Sequence, residues 1–117
     1  MNKHIEKIET DRKIKFPPLY KQFLANELKD SDTYEINRKD EGSIYFYSCI
    51  DLVERNETYD IQSVEPFYFL IGQDGDLGYF IYVESGKESD VIFSVDLGAL
   101  GSLEMNEEAK DIYSLSA

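Results

Sequence analysis

The sequence predicts an α+β fold: a largely antiparallel sheet with N-terminal helices packed on one face. Three observations carry this. Apolar residues recur at helical spacing over residues 5–28 and then, from 33 on, at alternate positions. The alternating runs are separated by short Gly-, Asp- and Ser-bearing segments of hairpin length. Helical signal precedes the strands and returns only once among them, which is the order of an α+β chain and not of repeated βαβ units. At 117 residues the chain has the length of one domain, 1–117.

Residues 1–15 are strongly charged, with Ile5 and Ile8 at helical spacing. They read as a short helix that buries both isoleucines and is stopped by Pro17-Pro18. The same prolines suit the first turn of a second helix. In it Leu19, Tyr20, Phe23, Leu24 and Leu28 form the apolar stripe, and Lys29-Asp30-Ser31-Asp32 ends it. Thr33 to Asn37 is a weak strand, Arg38 to Gly42 a polar turn, and Ser43 to Ile50 a strong strand. In that strand Ile44, Phe46 and Ser48 oppose Tyr45, Tyr47 and Cys49. Asp51 to Tyr59 reads as a helix anchored by Leu52 and Val53. Strands follow at Pro66–Ile71, Leu77–Glu84 and Val91–Leu97. The first two are joined by Gly72-Gln73-Asp74-Gly75-Asp76, in which the Asp74-Gly75 pair suits a turn with positive φ, and the last two by Ser85-Gly86-Lys87. The tail from Gly101 is acidic, with no strand predicted in it.

Alternation also assigns faces. In the last strand Val91, Phe93, Val95 and Leu97 are expected inside, and Ile92, Ser94 and Asp96 outside. In the strand at 66–71, Phe67, Phe69 and Ile71 oppose Tyr68 and Leu70. The other face is not uniformly polar: Tyr45, Tyr47, Tyr68 and Tyr82 share it with Phe80. Either the C-terminal tail or a loop covers these rings, or they form an exposed aromatic patch among carboxylates. Tyr at such a patch favours a partner-docking or homodimer surface, because it buries a large area and keeps a polar tip.

The chain carries 24 acidic and 12 basic residues, a net charge of −12. This argues against nucleic acid and anionic membranes, whose phosphates need Lys and Arg. The charge is unevenly divided: positions 1–50 hold nine acids and nine bases, and positions 51–117 hold 15 acids against Arg55, Lys87 and Lys110. An acidic surface built from the second part is expected to steer a basic partner. The N-terminal residues mix charges without an apolar core, so no signal peptide is predicted, and the longest apolar run, Phe67–Ile71, is too short to span a bilayer. A cytoplasmic protein is expected.

Chemistry is sparse. The single His, His4, lies in the charged N-terminal segment, and the single Cys, Cys49, has no positive neighbour in sequence to activate it. One His and one Cys do not make a usual zinc site. Close carboxylate pairs such as Asp74/Asp76 and Glu88/Asp90 are expected by chance in so acidic a chain, and Asp74-Gly75-Asp76 lacks the further ligands of a calcium loop. No phosphate-binding glycine motif is present. The reading is a binding protein, not an enzyme, with no catalytic residue, metal or cofactor.

Three segments resemble the SMI1/KNR4 superfamily, also called SUKH. Phe16-Pro17-Pro18-Leu19-Tyr20-Lys21-Gln22-Phe23-Leu24 is similar to its LP-x-x-Y-x-x-F-L helix. Phe69-Leu70-Ile71-Gly72-Gln73-Asp74-Gly75-Asp76-Leu77-Gly78-Tyr79-Phe80 is similar to its IG-x-D-G-x-G-D hairpin, and Val91-Ile92-Phe93-Ser94-Val95-Asp96 to the strand after it. The order and spacing agree over roughly residues 5–100. Two departures stand out: Asn26-Glu27-Leu28-Lys29 replaces an Asn-Gly-Gly ending, and the tail lacks the family's C-terminal Ser-Phe helix. The resemblance implies helices packed on a sheet. It also implies a bacterial immunity protein that binds and blocks a cognate toxin, often a nuclease or deaminase; eukaryotic relatives are scaffold or regulatory interaction modules. The toxin is expected to be basic. Asp74, Asp76, Glu84, Glu88 and Asp90 around the hairpin loops, with Tyr47, Tyr68 and Tyr82 as anchors, are the candidate partner-binding residues, in a monomer or homodimer.

Overall fold

The computed structural model describes residues 2–25, 33–38, 42–84, 86–87, 89–102 and 104–116. Helix α1 spans Asn2–Arg12 and buries Ile5 and Ile8, as expected. It ends well before the prolines. Lys13 takes a left-handed φ of 56°, and the Ile14 N–H donates to the Glu9 carbonyl at 3.0 Å. That six-to-one bond is a Schellman stop, which closes a helix through its own backbone. Helix α2, Pro18–Phe23, starts where Pro18 fits the first turn, and continues as a wider turn through Leu24 and Ala25. Tyr20, Phe23 and Leu24 are buried. The predicted Leu28 anchor, the stop at Lys29–Asp32 and most of the turn between Arg38 and Gly42 lie outside the described residues.

Glu9 ties the two helices together. Its side chain is buried, accepting from the Phe16 N–H at 2.8 Å and from Lys21 Nζ at 3.2 Å. A buried carboxylate is tolerated when it is paired and hydrogen-bonded in this way.

Among the described residues the sheet holds six strands in chain order, each antiparallel to the next: β1 Thr33–Arg38, β2 Gly42–Tyr47, β3 Tyr68–Asp74, β4 Leu77–Tyr82, β5 Ser89–Asp96 and β6 Asn106–Ala109. Strand β6 comes from the acidic tail, where none was predicted. Its residues, Asn106-Glu107-Glu108-Ala109, have little β preference, and pairing with β5 is what holds them. The C-terminal 3₁₀ turn, Ile112–Ser116, touches both edge strands β1 and β6, so the sheet is curled.

Between β2 and β3 come α3, Cys49–Thr58, and α4, Ile61–Val64. Sequence alternation placed Ser48 and Cys49 in the preceding strand. Instead the Ser48 side chain accepts from the Asp51 N–H at 3.3 Å and caps α3, and Cys49 is the first residue of the helix. The β3–β4 turn has two residues, with Asp74 paired to Leu77 across it and Gly75 at φ 60°. Positive φ at the first central position is the type II′ hairpin pattern, for which Gly carries no steric cost. Gly72 answers a different demand: a Cβ there would lie 2.7 Å from the Tyr45 carbonyl oxygen, so only glycine lets β2 approach.

Cross-strand registers give each face its residues. One face carries Ile36, Ile44, Phe46, Phe69, Tyr79, Ile81, Ile92 and Ser94. The N-terminal helices and the tail cover it, with Phe16 against Phe69, and Phe23 against Phe46, Tyr34 and Tyr113. This reverses the expectation for the last strand. Ile92 and Ser94 are fully buried under the helices, whereas Val91 and Phe93 are only half-buried; Val95 is buried as expected. The second pair of helices meets that face at its rim, where Arg12 of α1 donates to Glu57 of α3 at 2.9 Å. Helices α3 and α4 lie along the edge of β3 and reach over the opposite face, where Arg55 sits above the Tyr47 ring and Val64 meets Gly101.

The edge of β3 has a specific solution. Strand β2 pairs with β3 only at Tyr45–Gln73 and Phe46–Gly72, because the chain leaves the sheet at Ser48. Beyond that point Asn56 of α3 takes over. Its Nδ2 donates to the Leu70 carbonyl at 2.9 Å, and its Oδ1 accepts from the Leu70 N–H at 2.8 Å. Gln62 donates to the Tyr68 carbonyl at 2.8 Å and to Asn56 Oδ1 at 3.0 Å. Two side-chain amides thus stand in for a missing strand, leaving the buried backbone of Leu70 satisfied.

Candidate functional site: an aromatic face among carboxylates

The site grows from the registers Tyr68–Tyr82 and Phe80–Phe93, which put three half-buried rings on the face away from α1 and α2. Tyr68 meets Tyr82 at 5.3 Å between centroids and Phe93 at 5.3 Å, both edge-on. Phe67 completes the cluster. Its carbonyl accepts from the Val83 N–H at 2.8 Å, which fixes it at the end of β4. Its ring lies 6.2 Å from Tyr82, tilted by 51°, and is 46% exposed. Such pairs hold their mutual geometry through ring quadrupoles.

Carboxylates surround the rings. The Tyr82 hydroxyl donates to Glu84, and that bond, followed by burial and the charge of Glu84, raises the phenol above its ordinary value. Tyr68 is raised as well, first by burial and then by the charges of Glu65 and Glu107. Glu107 stands opposite Phe93 in the β5–β6 register. Lys87, largely exposed, places its Nζ 3.9 Å from Glu84.

A second cluster lies farther along the same face. Tyr45, nearly half exposed, is raised by hydrogen bonding to Glu35, then by that group's charge, by burial and by Asp74. Tyr47 is mostly buried and donates to Gln73. Burial raises its phenol most, Tyr59 and Glu54 add to this, and Arg55, 6.0 Å from the ring, opposes it. Between the clusters Leu70, Gly78 and Phe80 form a closed stretch beneath Leu97. Of the two covers considered for these tyrosines, a loop or the C-terminal tail, the end of the tail packs on the other face against Phe23 and β1.

The predicted site residues therefore divide. Tyr68, Tyr82 and Glu84 come together at one end of β4. Asp74 precedes the turn at the other end and Asp76 lies in it, roughly 20 Å from Tyr82 along a strand rising about 3.3 Å per residue. Tyr47 belongs to the second cluster. Asp90 is tied to the helices, since its Oδ1 accepts from the Leu19 N–H at 3.1 Å at the start of α2. Glu88 lies outside the described residues. Sequence alternation missed Phe67 and Phe93 as members, because it put both with the inward set; Glu65 and Glu107 were missed with them.

Other features are modest. An open groove of about 720 Å³ runs along α1 and the following segment, lined by Lys13, Lys15 and Lys21 with Glu6 and Glu9. Glu9 already engages Lys21 there. Among the described residues no three His, Cys, Asp or Glu side chains gather as a metal-holding group, and no helix is long and apolar enough to cross a membrane.

No protein-family model matches the chain, and no curated protein matches it.

Proposed function

We propose that the protein is a SUKH-type immunity protein: a cytoplasmic, non-catalytic binder that neutralises a cognate toxin domain through its acidic aromatic face. The observation that carries this reading is the cluster of Phe67, Tyr68, Tyr82 and Phe93, which stays open to solvent among Glu65, Glu84 and Glu107. Aromatic anchors inside a charged rim are the composition of a protein-binding surface. The one-sided acidity selects a basic partner, and a nuclease or deaminase that holds nucleic acid has such a surface. The resemblance of the helix, hairpin and strand motifs to those of the SUKH superfamily supports the family reading.

Co-expression with the toxin encoded beside it tests the reading. Growth is restored and the two proteins copurify at low salt. Charge reversal at Glu84 or Glu107 slows association about tenfold, whereas the added charge Gln22→Lys on α2 leaves it unchanged. A toxin that still kills, with no complex at low salt, overturns the proposal.

A further inference from the structure

We infer that the Phe67–Tyr68–Tyr82–Phe93 cluster is a receptor for one arginine side chain of the partner. The inference rests on the proposed function for who the partner is; where the arginine lands rests on this face alone.

The cluster offers two things a guanidinium uses together. It offers ring faces: Phe67 is tilted by 51° against Tyr82, nearly half of it is open, and a flat cation can lie against it. It also offers carboxylate acceptors: Glu84, which accepts from the Tyr82 hydroxyl, Glu107, opposite Phe93 in the β5–β6 register, and Glu65, whose carbonyl accepts from the Tyr68 N–H at 3.2 Å. Arginine is planar, stacks on aromatic rings and pairs with carboxylates through a fixed fork; lysine presents a compact, strongly hydrated charge. The only cation placed on Glu84 within the described residues is Lys87, at a loose 3.9 Å and largely solvated. An incoming arginine displaces it at little cost, because exposed pairs of this kind contribute little.

Charge also decides between occupants. A second copy of this chain seated on the face sets Glu65, Glu84 and Glu107 against their equivalents, in a protein of net charge −12. A basic segment meets no such repulsion.

The test uses the full chain and a capped hexa-arginine peptide, followed by amide and aromatic NMR shifts at low salt, with hexalysine as comparison. Shifts confined to residues 65–68, 82–84, 93 and 107, with hexa-arginine at least threefold tighter than hexalysine, support the inference. Phe67→Ala and Glu84→Gln each weaken hexa-arginine about fivefold without changing the thermal midpoint by more than a few degrees, and Asp74→Asn, at the far turn, leaves binding alone. Equal affinity for the two peptides, shifts spread over all the carboxylates, or an unaffected Phe67→Ala overturns it. The two readings fail separately. A toxin neutralised equally well by wild type and Phe67→Ala removes the arginine receptor and keeps the immunity protein. A localised peptide response with no neutralisation does the opposite.

Discussion

Both faces of the sheet are lined with aromatic rings meeting edge-on, at similar distances. On the helix side, Phe16, Phe23, Phe46 and Phe69 are each exposed by 3% or less. On the other, Phe67 is 46% exposed, and Tyr68, Tyr82 and Phe93 are half-buried. Ring geometry does not separate the two. What does is the company: Ile5, Ile8 and Leu115 close over the first, whereas Glu65, Glu84 and Glu107 border the second. Aliphatic neighbours make an aromatic cluster into a core; carboxylate neighbours hold it at the water boundary, because desolvating unpaired charge costs more than covering the rings returns. The same residue types thus serve stability on one face and, under the proposed function, recognition on the other.

Phe69 and Phe67, two positions apart, give the widest test of that contrast. Phe69→Ala is expected to lower the unfolding free energy by about 3–5 kcal/mol in a urea titration, the usual result for a buried phenylalanine. Phe67→Ala is expected to cost less than about 1 kcal/mol, as exposed substitutions do. Comparable losses would mean that the outer face is a second core. Next in size is Asn56→Ala, expected to cost about 2–4 kcal/mol, because it strips both partners from the buried backbone of Leu70. Hydrogen exchange of the Leu70 amide should rise in the same variant.

The smallest effect is in the alkaline limb of the pH profile. Tyr45, Tyr47, Tyr68 and Tyr82 are all raised above 10.0 in the folded protein. The folded chain then holds protons that the unfolded chain releases above pH 10, so stability is complete below that pH and falls as pH rises through the folded values. Ultraviolet titration should show these four ionising late, and Glu84→Gln should bring Tyr82 back toward its ordinary value. An unchanged Tyr82 would remove Glu84 from the cluster.

The sequence made the coarse fold legible because period-3.6 and period-2 patterns are local. The burial of Ile5 and Ile8, the α2 stripe through Leu24, and the positive φ of Gly75 were readable from it; the connection read as Gly72–Asp76 is shorter, because β3 runs on to Asp74. Where local pattern was overridden, an identifiable competitor won. The left-handed Lys13 stopped α1 before Pro17. The Ser48 cap ended β2 early, although Ser48 and Asp51 already carried a helix-start spacing. Strand β6 depends on pairing with β5, which no pattern within Asn106–Ala109 announces. Half of the aromatic cluster was readable, since Tyr68 and Tyr82 alternate cleanly. Phe67 was not: alternation over 66–71 grouped it with Phe69, but β3 begins at Tyr68, so Phe67 lies before the strand and does not follow its alternation. Asn56 left a faint mark: it falls four residues after Leu52, a polar side chain on the buried stripe.

That asparagine has a consequence for how the protein meets other chains. Backbone left open at a strand edge is a template on which foreign strands, or other copies of the same molecule, can add and propagate. By occupying the Leu70 backbone from within, Asn56 removes that template beside the aromatic face. Contact there is left to side chains, and so to partners whose sequence matches, instead of to any extended chain that passes.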